Sequence, residues 1–180
     1  MQQDLLLLDT NVLSLTSRLI PPPGLRQWLL DVGLERLAVC YPVIAEILRG
    51  AHLVRKVNER RSGELQTWIE EIRATDFAML DMTWEVADIY GLLSSTRSLK
   101  HLWVPCPSAK HDGIGHDLMV AAVAIAHETP IRTGNTKDFL KIHEVLELPG
   151  LFDPLKEIWL LPPERAIDLP AMNHGLATAI

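Results

Sequence analysis

Four carboxylates, Asp9, Glu46, Asp117 and Asp138, are the residues whose types and settings could do chemistry together. Each lies where a strand gives way to a helix or in the first turns of a helix. Taken singly, each has an ordinary explanation: an acid in those turns complements the helix dipole and helps cap the backbone. Taken together they ask for more. Carboxylates crowded at one place repel, and one or more is forced neutral unless a cation compensates. Hard divalent ions are held by a few carboxylates together with waters and phosphate oxygens. A site of that kind activates water and stabilises charge on a phosphate during phosphodiester hydrolysis. No histidine, cysteine or arginine is obligatory for it.

The elements that would bring the acids together can be read from pattern. Leu5 to Leu8 is a continuous apolar run, the mark of a strand buried on both faces of a parallel sheet. Asp9, Thr10 and Asn11 follow as good capping types and open a short helix to about Thr16. Pro21, Pro22, Pro23 and Gly24 break the chain, and Arg26 to Val32 reads as a helix ended by Gly33. Leu37 to Tyr41 is a second buried strand, and Pro42 suits the first turn of the helix that carries Glu46. A long helix is expected from about Arg60 to Arg73, a short strand from Phe77 to Leu80, and a helix capped by Thr83. Residues 99–115, with Pro105, Pro107, Gly113 and Gly115, read as a loop. His116 to His127 is apolar on most faces and reads as a buried helix. Pro130 to Thr133 is a strand, and Asn135 to Leu140 starts a short helix. Residues 141–156 make a long connection, and Glu157 to Leu161 reads as a last strand. Strands alternating with helices predict an α/β fold with a parallel sheet. The carboxyl ends of its strands open on one edge, where ligands bind. All four acids fall at that edge.

At 180 residues, the chain fits a single domain, expected over 1–161 with a tail over 162–180. A hydrophobic share of 48% excludes a disordered chain, and the runs are too short to span a membrane. The start lacks the basic region of a secretory signal. Two cysteines, Cys40 and Cys106, are too few for a disulfide framework or a cysteine zinc site, so a cytoplasmic location is expected. A net charge of −6 counts against binding nucleic acid by bulk attraction, but leaves room for a nuclease whose acids are offset by metal.

The residues around the acids add a resemblance. Leu8-Asp9-Thr10-Asn11-Val12-Leu13-Ser14 resembles the opening motif of PIN-domain ribonucleases, particularly the VapC and FitB toxins. Pro42 to Gly50, around Glu46, is similar to their second motif; His116 to Ala122, around Asp117, to the third; Thr133 to Phe139, around Asp138, to the fourth. Order and spacing agree over about residues 4–140. The resemblance implies a PIN-like fold, with a parallel sheet of about five strands flanked by helices. It implies Mg²⁺ or Mn²⁺ held by Asp9, Glu46 and Asp117, with Asp138 contributing to a second metal or positioning the water. Asn135 would bond a ligand or water, Thr10 would support Asp9 through its hydroxyl, and Asn11 would brace the loop. It further implies an RNA substrate, a cognate antitoxin whose segment blocks the site, and a homodimer. Gly134 departs from the pattern, since these toxins often carry a basic residue there.

Other features are plainer. Arg49, Arg55, Lys56, Arg60 and Arg61 could follow an RNA backbone or an acidic peptide, and serve equally as a solvated helix face. His111, Asp112, His116 and Asp117 suggest zinc at first glance, but histidines five apart do not share a helix face. Trp28, Trp68, Trp84, Trp103 and Trp159 are dispersed, which favours core or interface roles over base stacking. Cys40 reads as a small buried residue. Two rivals remain to the ribonuclease toxin: a catalytically silent PIN-like module that binds RNA or protein, and an acid-based phosphatase. The latter needs a second Asp two positions after the first, and position 11 is Asn.

Overall fold

The computed structural model describes residues 4–18, 20–103 and 116–172. Its centre is a strand of three leucines, β1 (Leu6–Leu8), each fully buried. Leucine is a modest strand former, and burial between two neighbours decides the matter. On one side β1 pairs in parallel with β2 (Leu37–Cys40), and β2 with β3 (Ala78–Leu80). On the other side β1 pairs in parallel with β4 (Ile131–Arg132), and β4 with β5 (Leu151–Asp153). An antiparallel strand, β6 (Ile158–Leu161), completes the order β3-β2-β1-β4-β5-β6. The expected parallel sheet of about five strands is therefore present, with a sixth, antiparallel strand at its edge.

The helices are α1 (Thr10–Leu15), α2 (Leu25–Val32), α3 (Tyr41–Arg55), α4 (Glu59–Ala74), α5 (Trp84–Ser95), α6 (Asp117–Ala126) and α7 (Thr136–His143). Their ends follow local chemistry. Gly33, at φ 94, takes a backbone conformation that costs other residues strain and stops α2. Asn58 and Thr83 accept the Arg61 and Val86 N–H groups at the starts of α4 and α5. Helix α6 buries Leu118, Val120, Ala121, Ala122, Val123 and Ala124, and packs against α5. Its small residues let the two helices approach closely.

Three stretches differ from the sequence reading. The loop expected over 99–115 begins as a 3₁₀ helix, Arg97–Leu102, which buries Leu99 and Leu102; residues 104–115, with His111 and Asp112, lie outside the described residues. The long connection over 141–156 contains the end of α7, to His143, and then β5. Residues 162–172 carry no helix or strand, yet they pack back on the core. The Trp28 indole N–H donates to the Pro170 carbonyl at 2.7 Å, the Met172 N–H donates to Glu157 at 2.9 Å, and Met172 is buried. Residues 173–180 are outside the described residues.

Beneath the β4 end lies an unusual interior charge. Arg132 is fully buried, and its guanidinium nitrogens have no hydrogen-bond partner among the described residues. It is held instead between aromatic rings, 4.7 Å from the Phe152 centroid and 4.4 Å from that of Trp159. Burial, and then the neighbouring Arg36, push its pKa down to about 9. Trp28 stacks on the same Phe152 ring. Among the described residues no helix is long and apolar enough to cross a membrane.

Candidate active site

The chain reverses its direction of sheet growth between β1 and β4, which leaves a crevice at the carboxyl ends of those two strands. Leu8 and Arg132 are paired in register, so the residues that follow them, Asp9 and Thr133, stand side by side. The Asp9 N–H donates to the Arg132 carbonyl at 3.0 Å, which carries the strand pairing into the site.

Asp9 is only 3% exposed, yet its carboxylate is well served. One oxygen accepts the Thr10 N–H at 2.7 Å; the other accepts the Thr133 hydroxyl at 2.7 Å and the Asn11 amide at 2.5 Å. The fully buried Thr133 is the hub: its hydroxyl oxygen also accepts the Asn11 amide at 2.8 Å and the Asn135 N–H at 2.9 Å. Asn11 Oδ1 accepts the Gly134 N–H at 2.8 Å, so Asn11 ties the turn after β1 to the turn after β4. Thr10 differs in detail from expectation. Its backbone supports Asp9, while its hydroxyl donates to Glu46 Oε2 from α3 at 2.8 Å. Asn135 closes the other end, donating to Asp117 Oδ2 at 3.0 Å and Asp138 Oδ2 at 3.2 Å. Lys141, one turn along α7, donates to Asp138 Oδ1 at 3.1 Å and lies 3.2 Å from His101.

All seven residues singled out in the sequence therefore join one network. The capping explanation covers Asp9, the N-cap of α1, but not the acids on α6 and α7. Among the described residues, the hydrogen bonds to Asp117 and Asp138 come from the Asn135 and Lys141 side chains, not from the N–H groups of their own helices. Thr133 and Lys141 had not been given roles. The signal for Thr133 was a hydroxyl residue directly after a buried strand; Lys141 carried none beyond its i+3 spacing from Asp138.

Two of the four carboxyl groups are held above their ordinary acidity. Burial, partly offset by Thr133 and Thr10, pushes the Asp9 carboxyl up to about 6, and Glu46 adds to the rise. Burial also pushes Asp117 up to about 7, with further repulsion from Asp9, Asp138 and Glu46. Cys40, at the end of β2, is pushed up to about 12 by burial, which makes it a packing residue and not a nucleophile. As placed, no three His, Cys, Asp or Glu residues among those described converge into a ready metal cluster. Hydrogen-bond donors, Thr10 on Glu46 and Asn135 between Asp117 and Asp138, space the carboxylates instead. The donor set still fits a hard divalent cation: it is all oxygen, and two of its members are held above their ordinary acidity by burial and mutual repulsion.

Two depressions on the described surface bear on the site. One of about 480 Å³ lies between α3 and α4, lined by residues such as His52, Gln66, Glu70 and Arg73 and by none of the four acids. The other, open and of about 400 Å³, shares Asn11 and Asn135 with the site.

The chain is similar to known proteins over most of its length. The family model described as PIN domain matches residues 6–144. Ribonuclease VapC of Rickettsia bellii (strain RML369-C) is 34% identical over 115 residues, which cover 64% of this chain and 75% of that protein. Among solved structures, FitAcB from Neisseria gonorrhoeae superposes with a TM-score of 0.55 at 25% identity, over 77% of this chain and 93% of that one. VapBC2 from Rickettsia felis, bound to a DNA fragment from their promoter, shares the fold: TM-score 0.57 and 20% identity, over 76% and 92% of the two chains.

Proposed function

The chain belongs to the PIN-domain family, and on that premise we propose that it is a metal-dependent endoribonuclease, the toxin of a type II toxin–antitoxin pair. The observation that carries the reading is the single hydrogen-bonded network joining four carboxylates at the β1–β4 crevice. Asp9, Glu46 and Asp117 would hold Mg²⁺ or Mn²⁺, and Asp138 would complete the acid set. When bound, the ion supplies positive charge to the scissile phosphate and makes a water more acidic. The chain's own residues do the rest. Thr133, Thr10 and Asn11 fix the Asp9 carboxylate and leave one lone pair, on Oδ1, for a ligand. Asn135 sets the orientation of Asp117 and Asp138, and Asp138 would orient the attacking water by accepting its hydrogen bond. Outer partners of this kind commonly tune affinity or activity by about 10–100-fold.

The partners follow from the same premise: RNA as substrate, a cognate antitoxin as inhibitor, and a second copy of the chain. The test is cleavage of a defined RNA by purified protein with Mg²⁺ or Mn²⁺. Asp117→Asn is expected to cut at least about 100-fold more slowly, since charge stabilisation of several kcal/mol is lost at about 1.4 kcal/mol per decade. Undiminished cleavage by that variant, or by wild type in excess chelator, would falsify the mechanism. Metal binding without cleavage of any RNA would favour a silent binding module.

A further inference from the structure

The acids form a negatively charged floor, and an RNA chain crossing it must place its other phosphates elsewhere. The open depression of about 400 Å³ beside them is differently lined. One wall is a face of α1, Asn11, Ser14 and Leu15, continued by Arg18; the other is Gly134 and Asn135, with Leu155 from the β5–β6 turn. Its volume falls within the roughly 300–1,000 Å³ of small-ligand sites. Arg18 is the one charged side chain in the lining, it is exposed, and no described residue pairs with it. Other arginines of the neighbourhood are engaged: Arg26 donates to the Thr16 carbonyl, and Arg61 to Glu64 and the Ser17 carbonyl. Leu15 and Leu155 offer apolar surface, and the Ser14 hydroxyl, which donates to the Asn11 carbonyl at 3.3 Å, keeps its own lone pairs.

We propose that this depression is the subsite for the nucleotide next to the scissile phosphate, with Arg18 holding that nucleotide's phosphate. The proposal rests on the nuclease reading for its position along the RNA, but the contact itself does not require cleavage. The shared lining fixes the adjacency: Asn11 and Asn135 line the depression and also bond Asp9, Asp117 and Asp138, so a nucleotide seated there abuts the acids. A planar guanidinium suits a phosphate, which it meets with two parallel hydrogen bonds. The open shape suits a continuing polymer rather than an enclosed metabolite.

The test measures binding of a short RNA to the full chain in excess chelator, where no metal-dependent cleavage occurs. Arg18→Ala is expected to bind about 5–10-fold more weakly and to lower the slope of log affinity against log salt by about 0.7, the share of one phosphate on a single strand. Arg73→Ala, which removes one charge from the other depression, is expected to change neither. A series of the same RNA, each carrying one neutral methylphosphonate, locates the contact: one position should weaken wild type by the same factor and leave Arg18→Ala unaffected. In the cleavage assay Arg18→Ala should raise KM with little change in kcat, and that position should flank the cut. Equal binding by Arg18→Ala and wild type, or equal losses for both proteins at every methylphosphonate, overturns the proposal. The backbone of Arg18 alone joins the fold, through its N–H to the Leu15 carbonyl, so the variant should keep the wild-type Tm. If wild type cuts no RNA, the nuclease reading falls while the binding arms still decide the subsite.

Discussion

Asp9 and Asp138 stand at opposite ends of one hydrogen-bonded chain, and they are held in opposite ways. Asp9 is buried, and a backbone N–H, a buried hydroxyl and a side-chain amide all fix it. Asp138 is 29% exposed, shares one amide with Asp117, and meets a lysine that is itself 48% exposed. The Asp9 end is set by the sheet, because Thr133 and Asp9 continue paired strands. The Asp138 end is set by side chains on helix termini. A fixed carboxylate gives a metal or substrate a reference point, and adjustable ones can close around it.

The comparison can be broken first at Thr133. Thr133→Val keeps the shape but leaves Asp9, Asn11 and Asn135 each short of a partner. Cleavage should fall about 10–100-fold, and denaturant melts should show a loss of about 1–3 kcal/mol. A variant with wild-type stability would show that the buried end is not locked as described. At the other end, Asn135→Ala should reduce cleavage about 10-fold with stability within about 0.5 kcal/mol, because its partners reach water. Equal stability losses at 133 and 135 would erase the contrast.

Acidity offers a third probe. Folded, Asp9 and Asp117 release protons near 6 and 7, above the ordinary 3.8 of the unfolded chain. The folded state therefore binds more protons between those values. In chelator, these two groups make stability fall as pH rises from about 4 to 7, with the cost fully present above pH 7. Asp117→Asn should remove its share, stabilising the protein at pH 8 by about 1–2 kcal/mol, the value of one pKa unit or slightly more for a partly buried group. Melting both proteins across this range checks the sign, and a variant that is less stable at pH 8 would contradict the burial argument. The smallest effect is expected from Lys141→Ala. An exposed ion pair contributes about 0–1 kcal/mol, so stability should hardly move and cleavage should change only a few-fold.

How far the sequence reached follows the same division. The strand ends were legible because β1 and β2 are unbroken apolar runs, and their ends locate Asp9 and Glu46. The α6 acid was legible because a helix apolar on nearly every face has few places to begin. What escaped was written in pairs distant along the chain. Thr133 gains its role only from lying beside Asp9, which no local pattern announces. Strand β5 has three residues and an antiparallel partner across a short turn, too little for periodicity to register. Residues 162–172 look like a tail by composition, and their docking depends on an indole reaching a carbonyl 142 positions away. Arg132 in an aromatic sandwich runs against the rule that buried charges find oxygen partners, so its sequence setting gave no warning.

The seam between β1 and β4 also has a consequence in time. Thr133 and Asp9 meet across 124 positions, and the chain between them holds β2, β3 and the six helices from α1 to α6. Closing so long a loop is entropically costly and is repaid only when β4 docks. A chain still short of β4 holds Asp9, Glu46 and Asp117 without the hydroxyl that joins them. A chain whose synthesis has not reached Thr133 is therefore without its complete site.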